Sequence, residues 1–306
     1  MSAADNGSIA SNGSHASDAS DAGGASLCVA AVQMVSRASV GPNLEAAAAL
    51  IAAAARAGAR LVALPEYFCI MGRKESDKVE LAENDGQGPL QQFLSEQARR
   101  HRVWLVGGTI PLAAPVPGRV LNTTLVYGPH GQRVARYDKI HLFSFQRDGE
   151  SYDESLTICP GSSATSFELD DDASGASEKW KIGLSVCYDL RFPELYRALG
   201  SPDLILVPAA FTATTGRAHW QTLLRARAIE NLCYVLAPSQ GGHHENGRRT
   251  YGHSMLIDPW GDVLAQREEG EGVVVGTLER ARIASCRASL PALRHRVLGT
   301  GTNSRT

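Results

Sequence analysis

Short apolar runs recur along this chain, each followed by a stretch of helical period, and that alternation leaves room for little but a layered α/β fold. Residues 27–34 read as a strand, 43–57 as a helix ending at Gly58, and 61–64 as a second strand. A helix over 90–100 and a strand over 103–110 follow, then a hairpin of 120–127 and 133–137 around Gly128-Pro-His-Gly131. The second half repeats the theme. Residues 180–186 read as a strand, a helix starts at Pro193, and 204–207, 217–231 and 232–237 read as strand, helix and strand. A second hairpin, 251–257 with 263–266, turns at Asp258-Pro-Trp-Gly261. Two similar halves suggest two sheets packed face to face with helices outside.

Composition bounds the partners. Hydrophobic residues make up 43% of 306 and charged residues 20%, ordinary usage for one large globular domain. A net charge of -2 gives no field that would draw the chain to nucleic acid or anionic lipid, so neither partner is expected. The Ala-rich segment near 45–57 contains Glu45 and Arg56, which makes it an amphipathic helix and no membrane span. Residues 1–26 are almost entirely Ser, Ala, Gly, Asn and Asp, without Lys or Arg. They are expected to form a disordered extension, neither signal peptide nor presequence, ahead of a domain over 27–306. Six cysteines without paired spacing read as free thiols of a cytoplasmic protein.

Three segments carry chemistry. Cys187 closes the apolar run Ile182-Gly-Leu-Ser-Val186 and precedes Tyr-Asp-Leu-Arg-Phe-Pro193, which places a thiol at a strand-to-helix bend. There the positive end of the following helix is expected to favour a thiolate. Alone this is a weak signal, because free cysteines are most often buried core residues. Leu61-Val-Ala-Leu-Pro-Glu66-Tyr67 adds a carboxylate past a strand, and Arg136-Tyr-Asp-Lys139-Ile-His141 adds an ammonium at the end of another. A base, a nucleophile and a cation for an oxyanion describe acyl transfer through a thioester.

The blocks Leu-Pro-Glu66-Tyr, Tyr-Asp-Lys139-Ile-His-Leu and Gly-Leu-Ser-Val-Cys187-Tyr-Asp-Leu-Arg191-Phe-Pro-Glu, in this order, resemble the nitrilase or carbon-nitrogen hydrolase superfamily. The resemblance runs from about Leu27 to about Leu298. It implies a four-layer αββα sandwich, a Glu66, Lys139, Cys187 triad, no cofactor or metal, a small-molecule amide substrate and a homodimer or larger assembly. It also implies a second glutamate that helps position the attacking water. Glu154 fits that segment, with Glu150 as the alternative.

Within the superfamily the likeness is to the deaminated glutathione amidases, carried by Ala-Phe-Thr212 with Thr-Gly-x-Ala-His-Trp, Arg-Ala-Arg-Ala-Ile-Glu-Asn-x-Cys-Tyr, and Ser239-Gln240-Gly-Gly-His243. That likeness implies cleavage of the amide joining 2-oxoglutarate to Cys-Gly. An ω-amidase acting on α-ketoglutaramate, an N-carbamoyl amide hydrolase and a catalytically silent interaction module are the other readings. A thiol protease using His141 is a weaker rival. The substrate-binding residues expected are Tyr67, Tyr188, Arg191, Thr212 and Gln240, the oxyanion facing Lys139 and the Tyr188 amide. Arg217 and Arg249 are expected outside the site and His219 as an interior structural histidine. Arg225 and Arg227 fall on different helix faces, so at least one is structural. His243-His244-Glu245 reads as an exposed loop without metal-ligand spacing.

Overall fold

In the computed structural model, which describes residues 25–147, 150–170 and 179–298, the two halves form two sheets. Strand Ser26–Gln33 runs parallel to Leu61–Ala63, and that strand parallel to Trp104–Val106. Antiparallel strands Gly272–Glu279 and Val120–Tyr127 flank this trio, and Arg133–Asp138 pairs with the latter. The second sheet repeats the plan with parallel Trp180–Leu184, Leu204–Leu206 and Tyr234–Ala237 between antiparallel Ser166–Leu169 and Ser254–Ile257. The α-helices among the described residues are α1 (Val40–Arg56), α2 (Asp77–Glu80), α3 (Pro89–His101), α4 (Pro193–Ala198), α5 (Ala213–Asn231) and α6 (Arg280–Ser289). None of the described helices is long and apolar enough to cross a membrane.

The period of two along the strands builds the layers. Val29 and Ala31 share a core with Leu184, Leu206 and Leu236 of the other sheet, whereas Ala30 and Val32 pack with Ala47 and Ile51 of α1. Leu61 and Ala63 face the same inter-sheet core while Val62 turns to the helix side, and Trp104, Val106 and Leu105 divide likewise. Each fully buried Leu, Ile or Val contributes about 1.5–3 kcal/mol relative to exposure, so this double layer is the main stabilising block. With apolar layers on both faces, the central strands Leu61–Ala63 and Trp104–Val106 leave only their ends for charged groups.

Several element boundaries differ from the sequence reading. The strand expected over 103–110 is two strands, Trp104–Val106 and Ile110–Ala113. Gly107 and Gly108 separate them, and Gly108 has φ +52 with its Cα so close to Pro65 O that any side chain would collide. The helix from Pro193 has only six residues, preceded by a 3₁₀ turn over Cys187–Arg191. The 251–257 strand starts at Ser254. Strand Gly272–Glu279 and α6 are additions that the sequence reading passed over; the strand's pairing partner lies at the other end of the chain. Most of the expected N-terminal extension, residues 1–24, lies outside the described residues.

Candidate active site

Strands of both sheets deliver their carboxyl ends to one place. Leu61–Ala63 runs on to Glu66, Trp180–Leu184 to Cys187, and Arg133–Asp138 to Lys139. Glu154 opens a 3₁₀ turn after the small hairpin Ser144–Arg147 with Glu150–Asp153. Gly161 N donates to Lys139 O at 2.8 Å, which pins the segment following Glu154 against the lysine. A side chain at Gly161 would collide with Asp138 O, so this approach requires glycine.

Lys139 is the hub. Its Nζ lies 2.9 Å from Glu66 Oε1 and 3.0 and 2.8 Å from the two oxygens of Glu154. Asn122 Nδ2 and the Ala210 amide each donate to Glu66 at 2.9 Å. Tyr67 Oη and the Phe143 amide donate to Glu154 at 2.6 and 2.7 Å. Both carboxylates and the ammonium are almost fully buried, and each charge has several partners, the condition for tolerating an ion triad in a core. Of the two glutamates considered for the second position, Glu154 is the one on Lys139; the Glu150 side chain lies outside the described residues.

Cys187 sits at φ +49 and Tyr67 at φ +55, left-handed conformations that cost non-glycine residues energy and that cluster at functional sites. The Cys187 turn is braced by fully buried Asp189. Its carboxylate accepts from Tyr137 Oη at 2.6 Å, the Val186 amide at 2.9 Å and the His141 amide at 3.0 Å. His141 Nδ1 lies 2.7 Å from the same carboxylate and its ring stacks on Phe192 at 3.7 Å, so this histidine is committed to the brace.

Electrostatics fix the resting protonation. Burial disfavours the Lys139 charge, but Glu154 and Glu66 outweigh it and hold the ammonium far above its ordinary value. Burial likewise raises Glu154, yet the Lys139 charge and the hydrogen bonds from Lys139, Phe143 and Tyr67 bring its carboxyl below the usual range. Burial, then the charge of Glu66, push the Cys187 thiol well up, with Lys139 opposing. The expectation of a helix-stabilised thiolate is therefore corrected. Burial and the neighbouring carboxylate favour the thiol form over the thiolate, and α4 is short and starts six residues later.

Glu66, Glu154 and Cys187 line a narrow, partly open chamber together with Tyr67, Tyr188, Thr212 and Arg248. Three of the five residues expected to bind substrate thus face it. Gln240 does not. It is fully buried behind the site, donating to Ser36 Oγ at 2.7 Å and Glu66 O at 3.0 Å, a tie between loops. Arg191 stands behind the wall, its guanidinium over the rings of Tyr188 and Phe211 at 5.6 and 5.4 Å. His219 is exposed, 3.3 Å from Arg191, and so is not interior. Of the His243-His244 pair only His243 is exposed; His244 is buried between Ser36 O and Thr250 Oγ1, each at 2.8 Å. Arg227 is buried and bonded to Leu190 O at 3.1 and 2.8 Å, so it is structural.

Sequence reasoning passed over Arg248, weighing its neighbour Arg249 instead. Arg249 is exposed and lines a separate surface cleft with Arg217. Arg248 packs 4.6 Å over the Tyr152 ring, its buried Nε without a hydrogen-bond partner. Tyr152 and Met71, which enclose it, lie far away in the chain, so no local signal marked it.

The sequence profile of the carbon-nitrogen hydrolases matches residues 28–288. The chain belongs to the carbon-nitrogen hydrolase family. It is 44% identical over 272 residues to a deaminated glutathione amidase of Synechocystis sp. (strain PCC 6803 / GT-S), covering 88% of this chain and 97% of that one. It is 35% identical over 272 residues to a human (Homo sapiens) omega-amidase, covering 88% and 94%. The fold matches that of Saccharomyces cerevisiae Nit3, a member of branch 10 of the nitrilase superfamily, with TM-score 0.75 and 30% identity over 87% of this chain and 94% of the other. This carbon-nitrogen hydrolase is thus an amidase-type enzyme on the α/β sandwich of the nitrilases, which sets aside the silent interaction module.

Proposed function

We propose that this protein hydrolyses deaminated glutathione to 2-oxoglutarate and Cys-Gly, with Cys187 as nucleophile, Glu66 as general base and acid, and Lys139 and Glu154 as their electrostatic frame. The observation that carries this reading is the buried Glu66–Lys139–Glu154 chain beside the Cys187 thiol. Glu66 takes the thiol proton as sulfur attacks the amide carbon. Lys139 and the Tyr188 amide receive the oxyanion. The neighbouring amides of Cys187 and Asp189 are already taken by Pro208 O and Val186 O, which supports Tyr188 as the donor. Glu66 returns its proton to the departing amine, leaving a thioester. It then deprotonates a water, positioned with the help of Glu154, that cleaves the thioester, and thiol and carboxylic acid are restored.

The acyl group has a terminal carboxylate, and Arg248 with its unpaired Nε is the cation available for it in the chamber. The name of the Synechocystis relative supports the peptide substrate, and that of the human omega-amidase supports α-ketoglutaramate as the second reading. The six free thiols support a reducing cytoplasm, and the assembly proposed is a homodimer or larger. The test is kcat/KM for both substrates, with Cys187→Ala as blank. Preference for the peptide, abolished in the blank, upholds the reading. Preference for the small amide moves it to ω-amidase, and turnover of neither redirects it to N-carbamoyl amides.

A further inference from the structure

A second, shallow and partly open cleft adjoins the reaction chamber. Tyr67 and Arg248 line both, so the two spaces share one wall. The far side is built by Met71, Lys74, Lys78 and Asn246. It is cross-tied: Asn246 Nδ2 donates to Gly72 O at 2.7 Å, the Arg248 amide to Asn246 Oδ1 at 2.9 Å, and Met71 N to Arg37 O at 2.9 Å. The vestibule therefore has a defined shape on a segment that contributes nothing to the charged frame.

Its charge is unbalanced. Lys74, Lys78 and Arg248 face the space, with Glu75 as the single carboxylate among the residues lining it. Lys78 is the positioned one. Its side chain is 13% exposed, its Nζ lies 5.0 Å above the centre of the Tyr67 ring, and it pairs with half-exposed Glu75 at 2.6 Å. An ammonium lodged on the ring that separates the two cavities, rather than extended into water, is a poor solubilising residue and a good anion receptor.

We infer that Lys78 is a specificity residue that binds the terminal carboxylate of the amine leaving group, so that the vestibule selects amides of acidic dipeptide-like amines over primary amides. The inference rests on the function proposed above. With the acyl group and its carboxylate held by the inner chamber, the amine half of the substrate has to leave across a wall. A leaving group of two residues reaches at most about 7 Å from the scissile carbon. Glu75 competes for the same ammonium, which keeps the vestibule from holding the product amine tightly.

The experiment compares wild type, Lys78→Met and Glu75→Gln on three probes: deaminated glutathione, its C-terminal glycinamide analogue, and α-ketoglutaramate. Lys78→Met is expected to lower kcat/KM for the free carboxylate roughly 10- to 30-fold, the range for one charge-assisted contact, and to change the other two by less than about twofold. Glu75→Gln is expected to raise the free-carboxylate value about two- to threefold. Equal losses on all three probes would show that Lys78 acts only by supporting Tyr67, and no loss on any would show that the carboxylate lies elsewhere; either overturns the inference while leaving the amidase reading intact. Failure of the wild type to hydrolyse deaminated glutathione would overturn the reading itself, and this inference with it.

Discussion

The middle strand of each sheet ends in the same way. Leu61–Ala63 continues as Leu64-Pro65-Glu66, and Leu204–Leu206 continues as Val207-Pro208-Ala209, in two βαβαβ halves of matching order. Yet the first strand end delivers a carboxylate and the second delivers only backbone, the Ala210 amide that donates to Glu66 at 2.9 Å and the Pro208 carbonyl that accepts from Cys187 N at 2.9 Å. The first half and its extension supply every buried charge of the frame, while the second supplies the thiol and the amides around it. One scaffold used twice thus separates the ions from the nucleophile. Each sheet can pack on its own pattern, and the reactive geometry exists only where the two meet.

Removing the second half's contribution should have the largest effect on chemistry and the least on the fold. Cys187→Ala is expected to lower kcat by at least about 10⁴-fold. The site loses one sulfur atom and no ion partner, so the melting temperature should shift by no more than a few degrees. Intact-protein mass spectrometry under turnover should show an acyl adduct in wild type and none in the variant. An adduct surviving in Cys187→Ala would place the nucleophile elsewhere.

Removing the first half's contribution should damage both. Lys139→Met leaves Glu66 and Glu154 buried together without their cation, at a cost of about 3–5 kcal/mol near neutral pH along with activity. The pH dependence should also change sign. In wild type the Glu154 carboxyl is depressed, so its stabilisation is complete above the unfolded carboxylate value of about 4.3 and is lost as pH falls through the lower folded value. In the variant the paired carboxylates are raised, so the folded state binds protons that the unfolded state does not and stability grows as pH drops from 7 to 5. Urea unfolding at pH 7.5 and 5.5 checks this. A variant that loses stability on acidification would mean that the triad is not what holds the first half's charges.

Within the frame, Glu154→Gln should be milder. The amide still accepts from Tyr67 and Phe143 but gives up one of the two charges on Lys139, so kcat is expected to fall about 10²-fold with little change in KM. An equal rise in KM would assign Glu154 to substrate binding instead.

The same division decides what the sequence shows. Parallel core strands such as Leu204–Leu206 are legible because they are short apolar runs bounded by Pro and charge, and the three reactive blocks are legible because each lies within a few residues of such a run. Properties created where distant segments meet are not. Gln240 carries the polarity of a substrate ligand, and only the approach of Ser36 and the Glu66 carbonyl turns it into a buried tie. Arg248 and Arg249 are adjacent and chemically equal, and what separates them is the Tyr152 ring packed against one. The Val103 to Ile110 stretch reads as one strand because the close passage of Pro65 O over Gly108 is a tertiary fact.

His244 gives the smallest effect and tests the loop that carries Arg248. Its Nδ1 donates to Ser36 O, a carbonyl that can only accept, and Nε2 pairs with the Thr250 hydroxyl. Burial holds its pKa below the ordinary value of about 6.5. Above that value neither state is protonated and the contact is fully stabilising. As pH falls below it the unfolded chain takes up a proton that the native state refuses, and stability declines until the lower folded value is passed. His244→Gln, which can keep a donor and an acceptor, should therefore flatten the fall in unfolding free energy between pH 7.5 and 5.5, by on the order of 1 kcal/mol or less, as read by urea unfolding. His244 joins Ser36 of the first half to Thr250 of the second, and an unchanged slope would mean that its titration does not set the acid sensitivity of that joint.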